Sequence, residues 1–282
     1  MPLKNPIGIN LLLWTGSPDE KHLELLPTIK ALGYDGVEVP ITDMSLPLCR
    51  AYSDACDDIG LRRTATALIP DRTVLPYSDQ DSVFKAGVEH LETCVDKAAA
   101  LGAEVLMGPF FQPVGDFSDA PPSEDQRRRC VEAHRAMADR AEASNIQLSV
   151  EYLNRFEACL FSSVDEIAAH VEAVDRKNFG ATFDTFHANI EESNIISAFT
   201  ENLVVINHVH ISENHRGVPG TGHIPFKDFT RTLSDTNYNG WVVVEMFGKG
   251  IPELAAATRI WRPLFADPMT ATKDAIDFLK AL

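Results

Sequence analysis

Four side chains able to bind a cation or move a proton recur along the C-terminal half of the chain: Glu151, Asp184, His210 and Glu245. Each closes a short strand-like run, in Leu148-Ser149-Val150-Glu151, Ala181-Thr182-Phe183-Asp184, His208-Val209-His210 and Val242-Val243-Val244-Glu245. Side chains alternate across a strand, so each can face inward while its apolar neighbour packs outward. An acidic residue at a strand end often does no more than cap the next helix, and that reading suits any one of them taken alone. It fails for the set. Three carboxylates meeting an imidazole in a dry pocket repel one another unless a cation neutralises them. Oxygen-rich ligation with one imidazole suits Mn²⁺, Mg²⁺ or Co²⁺ better than a thiolate zinc site. Glu151, Asp184, His210 and Glu245 are therefore the expected metal ligands.

Positioning four such groups on neighbouring strands requires a particular scaffold. Strand-like runs stand at 7–12, 36–39, 63–67, 105–107, 147–152, 180–183, 204–210 and 241–245. Helical periodicity marks 21–32, 46–59, 83–101, 124–144, 164–174, 226–236 and 272–282, with a further short helix at 252–261. Gly33, Gly60 and Gly102 each follow a helical run and precede a strand, as helix C-caps do. Ser123 and Ser163, each with Gln or Glu three residues on, have the capping-box pattern. Eight strands with intervening helices and no Gly-rich phosphate loop after the first predict a (β/α)₈ TIM barrel rather than a doubly wound sheet. No linker or composition break divides the chain, so residues 1–282 are expected to form one domain. The long irregular stretches 110–122, 212–225 and 247–268 follow strands, which puts them on the catalytic face of such a barrel.

Further polar groups follow the strand ends. Glu157 lies six residues past Glu151, His187 three past Asp184 and Arg216 six past His210. His208 is expected to be a satisfied interior histidine. Glu38, closing the second strand, is open between supporting a ligand and touching a substrate. Trp14, Phe110, Phe111 and Phe247 follow strands and are candidates for the apolar wall of a pocket.

The segment Glu151-Tyr152-Leu153-Asn154-Arg155-Phe156-Glu157 closely resembles the fifth-strand segment of the ketose 3-epimerases, the D-tagatose and D-psicose (allulose) 3-epimerase group. The run Asp184-Thr185-Phe186-His187-Ala188-Asn189-Ile190-Glu191-Glu192 is similar to their sixth-strand signature, as are His208-Val209-His210 with Arg216, and Glu245 with Phe247, to later segments. The wider group is that of xylose isomerase-like barrels. The resemblance implies a homodimer or homotetramer with Mn²⁺ or Co²⁺ on Glu151, Asp184, His210 and Glu245. It implies that Glu157, His187 and Arg216 contact the ketose near its carbonyl, and that Glu151 and Glu245 exchange the C3 proton from opposite faces through a cis-enediolate. Segments 110–117 and 212–215 differ from the tagatose and psicose enzymes, so the particular sugar stays open.

Composition narrows the partners. Forty-one Asp+Glu against 25 Lys+Arg give a net charge of −16, which argues against nucleic acid and anionic membrane. That weakens an endonuclease IV-like DNA repair reading. Closer alternatives are an epimerase of a keto-glycoside at C4 beside a 3-keto group, and an aldose–ketose or hydroxypyruvate-type isomerase. A sugar-binding barrel without catalysis gives no reason for two opposed glutamates in a metal constellation. Five cysteines without a CxxC pair suggest packed thiols and a cytoplasmic setting. The apolar run at 7–14 is too short to span a membrane and carries no signal-peptide pattern.

Overall fold

In a computed structural model, which describes residues 3–117 and 120–282, the expected strands close into one ring. Its parallel members are β1 Ile7–Asn10, β2 Gly36–Pro40, β3 Arg62–Thr66, β4 Val105–Gly108, β5 Gln147–Glu151, β6 Phe179–Asp184, β7 Ile206–Ile211 and β8 Trp241–Val244. They pair in sequence order, and β8 returns to β1 through Ile7↔Val242, Gly8↔Val243 and Ile9↔Val244. The chain is a single-domain TIM barrel. Around it run α1 Leu25–Leu32, α2 Leu46–Ile59, α3 Asp81–Leu101, α4 Glu124–Glu142, α5 Val164–Val174, α6 Thr185–Glu191, α7 Ile195–Glu201, α8 Phe226–Asp235, α9 Pro252–Thr258 and α10 Pro268–Ala281. Among the described residues no helix is long and apolar enough to cross a membrane.

Local chemistry accounts for most boundaries. Gly33, Gly60 and Gly102 end α1, α2 and α3 with φ of 92°, 64° and 68°, a conformation that costs glycine little. Ser123 and Gln126 make the full reciprocal box at the start of α4. The expected second box is only half made: Ser163 caps Glu166, but the Glu166 carboxylate takes the amide of Ser162 instead, at 2.8 Å. Cys49 and Cys56 lie buried on α2, as their spacing implies. Two further corrections concern the sixth and seventh strands. Segment 185–201 carries α6 and α7, which the apolar pattern does not announce. β7 begins at Ile206 rather than at 204, because 202–205 is a turn that leaves Val204 91% exposed.

Inward-facing side chains grade along the barrel axis. Val105, Met107, Trp241 and Val243 form a separate apolar plug. Further along the strands come polar pairs, with Ser149 Oγ 2.7 Å from Thr182 Oγ1 and Thr64 Oγ1 donating to Glu38 at 2.9 Å. The strand ends then present Glu151, Asp184 and His210, with Asp184 in register with His210 and Thr182 with His208. Trp241 fits because β2 offers no side chain at Gly36. A Cβ there would lie 2.6 Å from both the Arg62 carbonyl oxygen and the indole. Gly36→Ala is therefore expected to cost about 1–3 kcal/mol through overpacking, measured as a lower urea midpoint; an unchanged midpoint contradicts this packing.

Candidate active site

The site is built from the strand ends upward. Asp184 closes β6 and caps α6: its Oδ1 accepts from the amides of Phe186 at 2.5 Å and His187 at 3.3 Å. Its Oδ2 is buried and takes no hydrogen bond. One carboxylate thus serves the helix with one oxygen and leaves the other free.

His210 is oriented from below. Its Nε2 lies 2.7 Å from Oε1 of Glu38, a fully buried carboxylate that also accepts from Asn10 Nδ2 and Thr64 Oγ1, each at 2.9 Å. Glu38 Oε2 lies 2.9 Å from His208 Nε2. An ionised carboxylate only accepts, so Nε2 of His210 carries the hydrogen and a neutral ring turns the Nδ1 lone pair outward. Around that Nδ1 stand Glu151 Oε1 at 3.4 Å, Asp184 Oδ2 at 3.6 Å and Glu245 Oε1 at 3.6 Å. These separations exceed a normal hydrogen bond. Glu151 Oε1, Asp184 Oδ2 and His210 Nδ1 are all buried without a hydrogen-bond partner. Such orphans are rare and costly singly. Three at one point, beside a third carboxylate oxygen from Glu245, fit the donor set of one divalent cation. Glu38 faces the underside of His210 and is not among these donors.

Electrostatics point the same way. Burial disfavours a charged His210, yet Glu38 and Glu245 hold its imidazole well above the ordinary value. Burial pushes Glu245 up to about 8; His210 and Arg216 oppose this, while Asp184 and Glu151 add to it. For Asp184, burial is outweighed by contact with His210 and the charges of His187 and Arg216, which bring it down to about 2.

A second polar group stands beside the first. Arg216 Nη1 donates to Glu245 Oε2 at 2.8 Å, and Nη2 lies 3.3 Å from Glu157 Oε2. The guanidinium packs over Phe186 and Phe247, 4.0 and 4.9 Å from the ring centroids. Arg216 is a non-glycine residue at φ 59°, held there as its amide donates to Glu213 O and its carbonyl accepts from Phe247 N. Burial raises Glu157, but Arg216 and His187 bring it below the usual carboxylate range. The amide of Asn154 donates to His187 Nδ1 at 3.0 Å, which puts the imidazole hydrogen of a neutral His187 on Nε2. That nitrogen lies 3.2 Å from Arg216 Nη2. Two donors meeting this closely do not bond each other, and both remain available to one acceptor.

Glu151, Glu157, His187, Arg216 and Glu245 line one cavity of about 120 Å³, with Leu12, Thr66, Leu153, Phe247 and Leu254 among its other walls. Of the four aromatic candidates only Phe247 lines it. Phe110 and Phe111 are buried against His134 and Phe161, because the Phe110 carbonyl accepts from His134 at 3.0 Å and draws that loop inward. Trp14 borders a different cleft.

The family model described as xylose isomerase-like TIM barrel matches residues 26–282. The ketose 3-epimerase of Arthrobacter globiformis is 33% identical over 264 residues, covering 93% of this chain and 91% of that protein. This chain belongs to the ketose 3-epimerase family. The D-psicose 3-epimerase of Agrobacterium fabrum is 30% identical, with 91% of this chain and 90% of that protein covered. The D-allulose 3-epimerase of Methylomonas sp., solved in complex with D-allulose, superposes with a TM-score of 0.91 at 27% identity, covering 99% and 98% of the two chains.

In this ketose 3-epimerase relative the structure brings together all seven sequence-expected residues: Glu151, Asp184, His210 and Glu245 around one point, with Glu157, His187 and Arg216 beside it. Sequence reasoning missed Asn154 and Glu213. The buried Glu213 carboxylate ties the Arg216 loop by accepting from the amides of Asn214, Gly220 and Ile224. Its place three residues before Arg216, in a loop rich in glycine, was the only available signal. The surrounding carboxylates favour a proton on His210 and burial favours one on Glu245, and both must shed it to act as ligands, so loading with Mn²⁺ at pH 7 is expected to release about one to two protons per ion. Affinity should rise with pH, as read by titration calorimetry in buffers of different ionisation heat. Binding with no proton release contradicts the assignment.

Proposed function

We propose that the chain is a metal-dependent epimerase that interconverts ketoses at C3, through a cis-enediolate, with Glu151 and Glu245 exchanging the proton. The observation that carries this reading is the convergence of Glu151 Oε1, Asp184 Oδ2 and His210 Nδ1, buried and unpartnered, with Glu245 Oε1 beside them. A divalent cation on these four residues, Mn²⁺ foremost with Co²⁺ or Mg²⁺ as alternatives, supplies Lewis-acid polarisation of the ketose carbonyl when bound.

The chain's own groups supply the rest. A C3 proton beside a carbonyl becomes removable as negative charge on the oxygens is stabilised. His187 Nε2–H and Arg216 Nη2 donate to that developing charge from one side. Glu157, kept ionised by Arg216, accepts from a sugar hydroxyl and orients the carbonyl end. Epimerisation needs one group to take the proton from one face and another to return one to the opposite face. Glu151 and Glu245 come from strands three apart around the ring and approach the same point from different directions. We infer also a homodimer or homotetramer as the assembly, and a cytoplasmic setting. The five free cysteines support the last.

Glu151→Gln and Glu245→Gln are each expected to lower kcat on the preferred ketose by at least about a hundredfold. Metal content is measured in parallel, since both residues are also proposed ligands. Near-normal turnover in either variant ends the two-base reading. Arg216→Ala should weaken turnover while the metal stoichiometry stays intact; a variant that loses the metal contradicts the role given to Arg216.

A further inference from the structure

On the far side of Arg216 lies a second cavity of about 450 Å³ that shares Arg216 and Thr258 with the first. Arg216, Arg259, Arg262, His215, Trp261 and Phe186 contribute to its walls, and no Asp or Glu does. In a chain with 41 Asp+Glu and 25 Lys+Arg, a cavity with three arginines and no carboxylate is contrary to the overall balance. Most other arginines are tied to acceptors, as Arg62 is to Glu104, Arg140 to Asp96 and Arg155 to Glu191. Among the described residues the side chains of Arg259 and Arg262 make no hydrogen bond or ion pair, and both residues are exposed. Trp261 between them is 66% exposed, one of the largest uncovered apolar side chains of the molecule. Arg259 also sits at φ 58° as the C-cap of α9, a left-handed backbone that a non-glycine residue adopts uncommonly.

We propose that this cavity is an anion subsite that takes the phosphate of a phosphorylated small molecule, with Arg259 and Arg262 as donors and Trp261 as the face for its carbon skeleton. Guanidinium groups free of internal partners match phosphate oxygens in fork geometry. An exposed indole offers an apolar surface to a sugar ring or a planar base. The phosphate belongs either to a substrate reaching across Arg216 from the reaction cavity or to a separate regulatory ligand.

The test begins with binding and needs no turnover, so its failure is distinct from failure of the epimerase reading. Inorganic phosphate is titrated calorimetrically into the metal-loaded wild type, Arg259→Gln, Arg262→Gln and the double variant, with thermal melting to verify folding. The expected result is salt-sensitive binding by the wild type, weakened roughly tenfold or more in the double variant, with free-ketose turnover unchanged. Kinetics then separate the sources. A substrate phosphate gives D-fructose 6-phosphate a higher kcat/KM than D-fructose, an advantage lost in the double variant. A regulatory ligand instead makes inorganic phosphate alter D-fructose turnover in the wild type only. No phosphate binding by the wild type, or equal binding by the double variant, overturns the site.

Discussion

Carboxylates forced close together in a water-poor barrel mouth dominate this structure. Glu151, Asp184 and Glu245 point at a single imidazole nitrogen that offers none of them a proper hydrogen bond. The arrangement is unfavourable unless positive charge arrives, either as a proton on His210 or as a cation in its place. Glu38 decides between these geometrically: by accepting from Nε2 it prevents His210 from turning that nitrogen to the mouth, so any ligand must be met by Nδ1. Asn10 and Thr64, from neighbouring strands, hold Glu38 in turn. The apolar plug around Trp241 closes the interior at depth, which keeps this set of charges near the open end.

A second layer of control comes from the loops. Arg216 neutralises Glu245 and Glu157 while its flat guanidinium is held between Phe186 and Phe247. Its left-handed backbone and the Glu213 contacts fix where it stands. Asn154 fixes the His187 tautomer, so two donors rather than a donor and an acceptor face the cavity. The site thus gathers negative charge at one end and hydrogen-bond donors at the other. That polarity suits a substrate whose reaction builds negative charge on oxygen next to the carbon that loses its proton.

The strand ends were legible because a barrel of alternating inward residues makes position along a strand equivalent to depth. Glu151, Asp184, His210 and Glu245 could be read as a set for that reason, and their neighbours Glu157, His187 and Arg216 through family likeness. The sequence is less explicit where function depends on what lies across the barrel. Glu38 stood at the end of its strand, but its contact with His210 spans β2 and β7 and follows from closure alone. In sequence a cap and a ligand look like exclusive roles for Asp184, which was assigned the second, whereas its two oxygens serve one each. α6 and α7 were missed because their buried faces span only two turns each, too short for a clear helical period, and Ser and Asn interrupt the segment. The second capping box failed because a competing amide at Ser162 was within reach.

Proton NMR of a panel of free ketoses incubated with Mn²⁺-loaded protein in D₂O tests the central claim most directly. A C3 epimer carrying deuterium at C3 is the result that follows from two glutamates acting on opposite faces beside a polarised carbonyl. Deuterium confined to C1 or C2 of an aldose product, or no exchange into any free ketose, contradicts it.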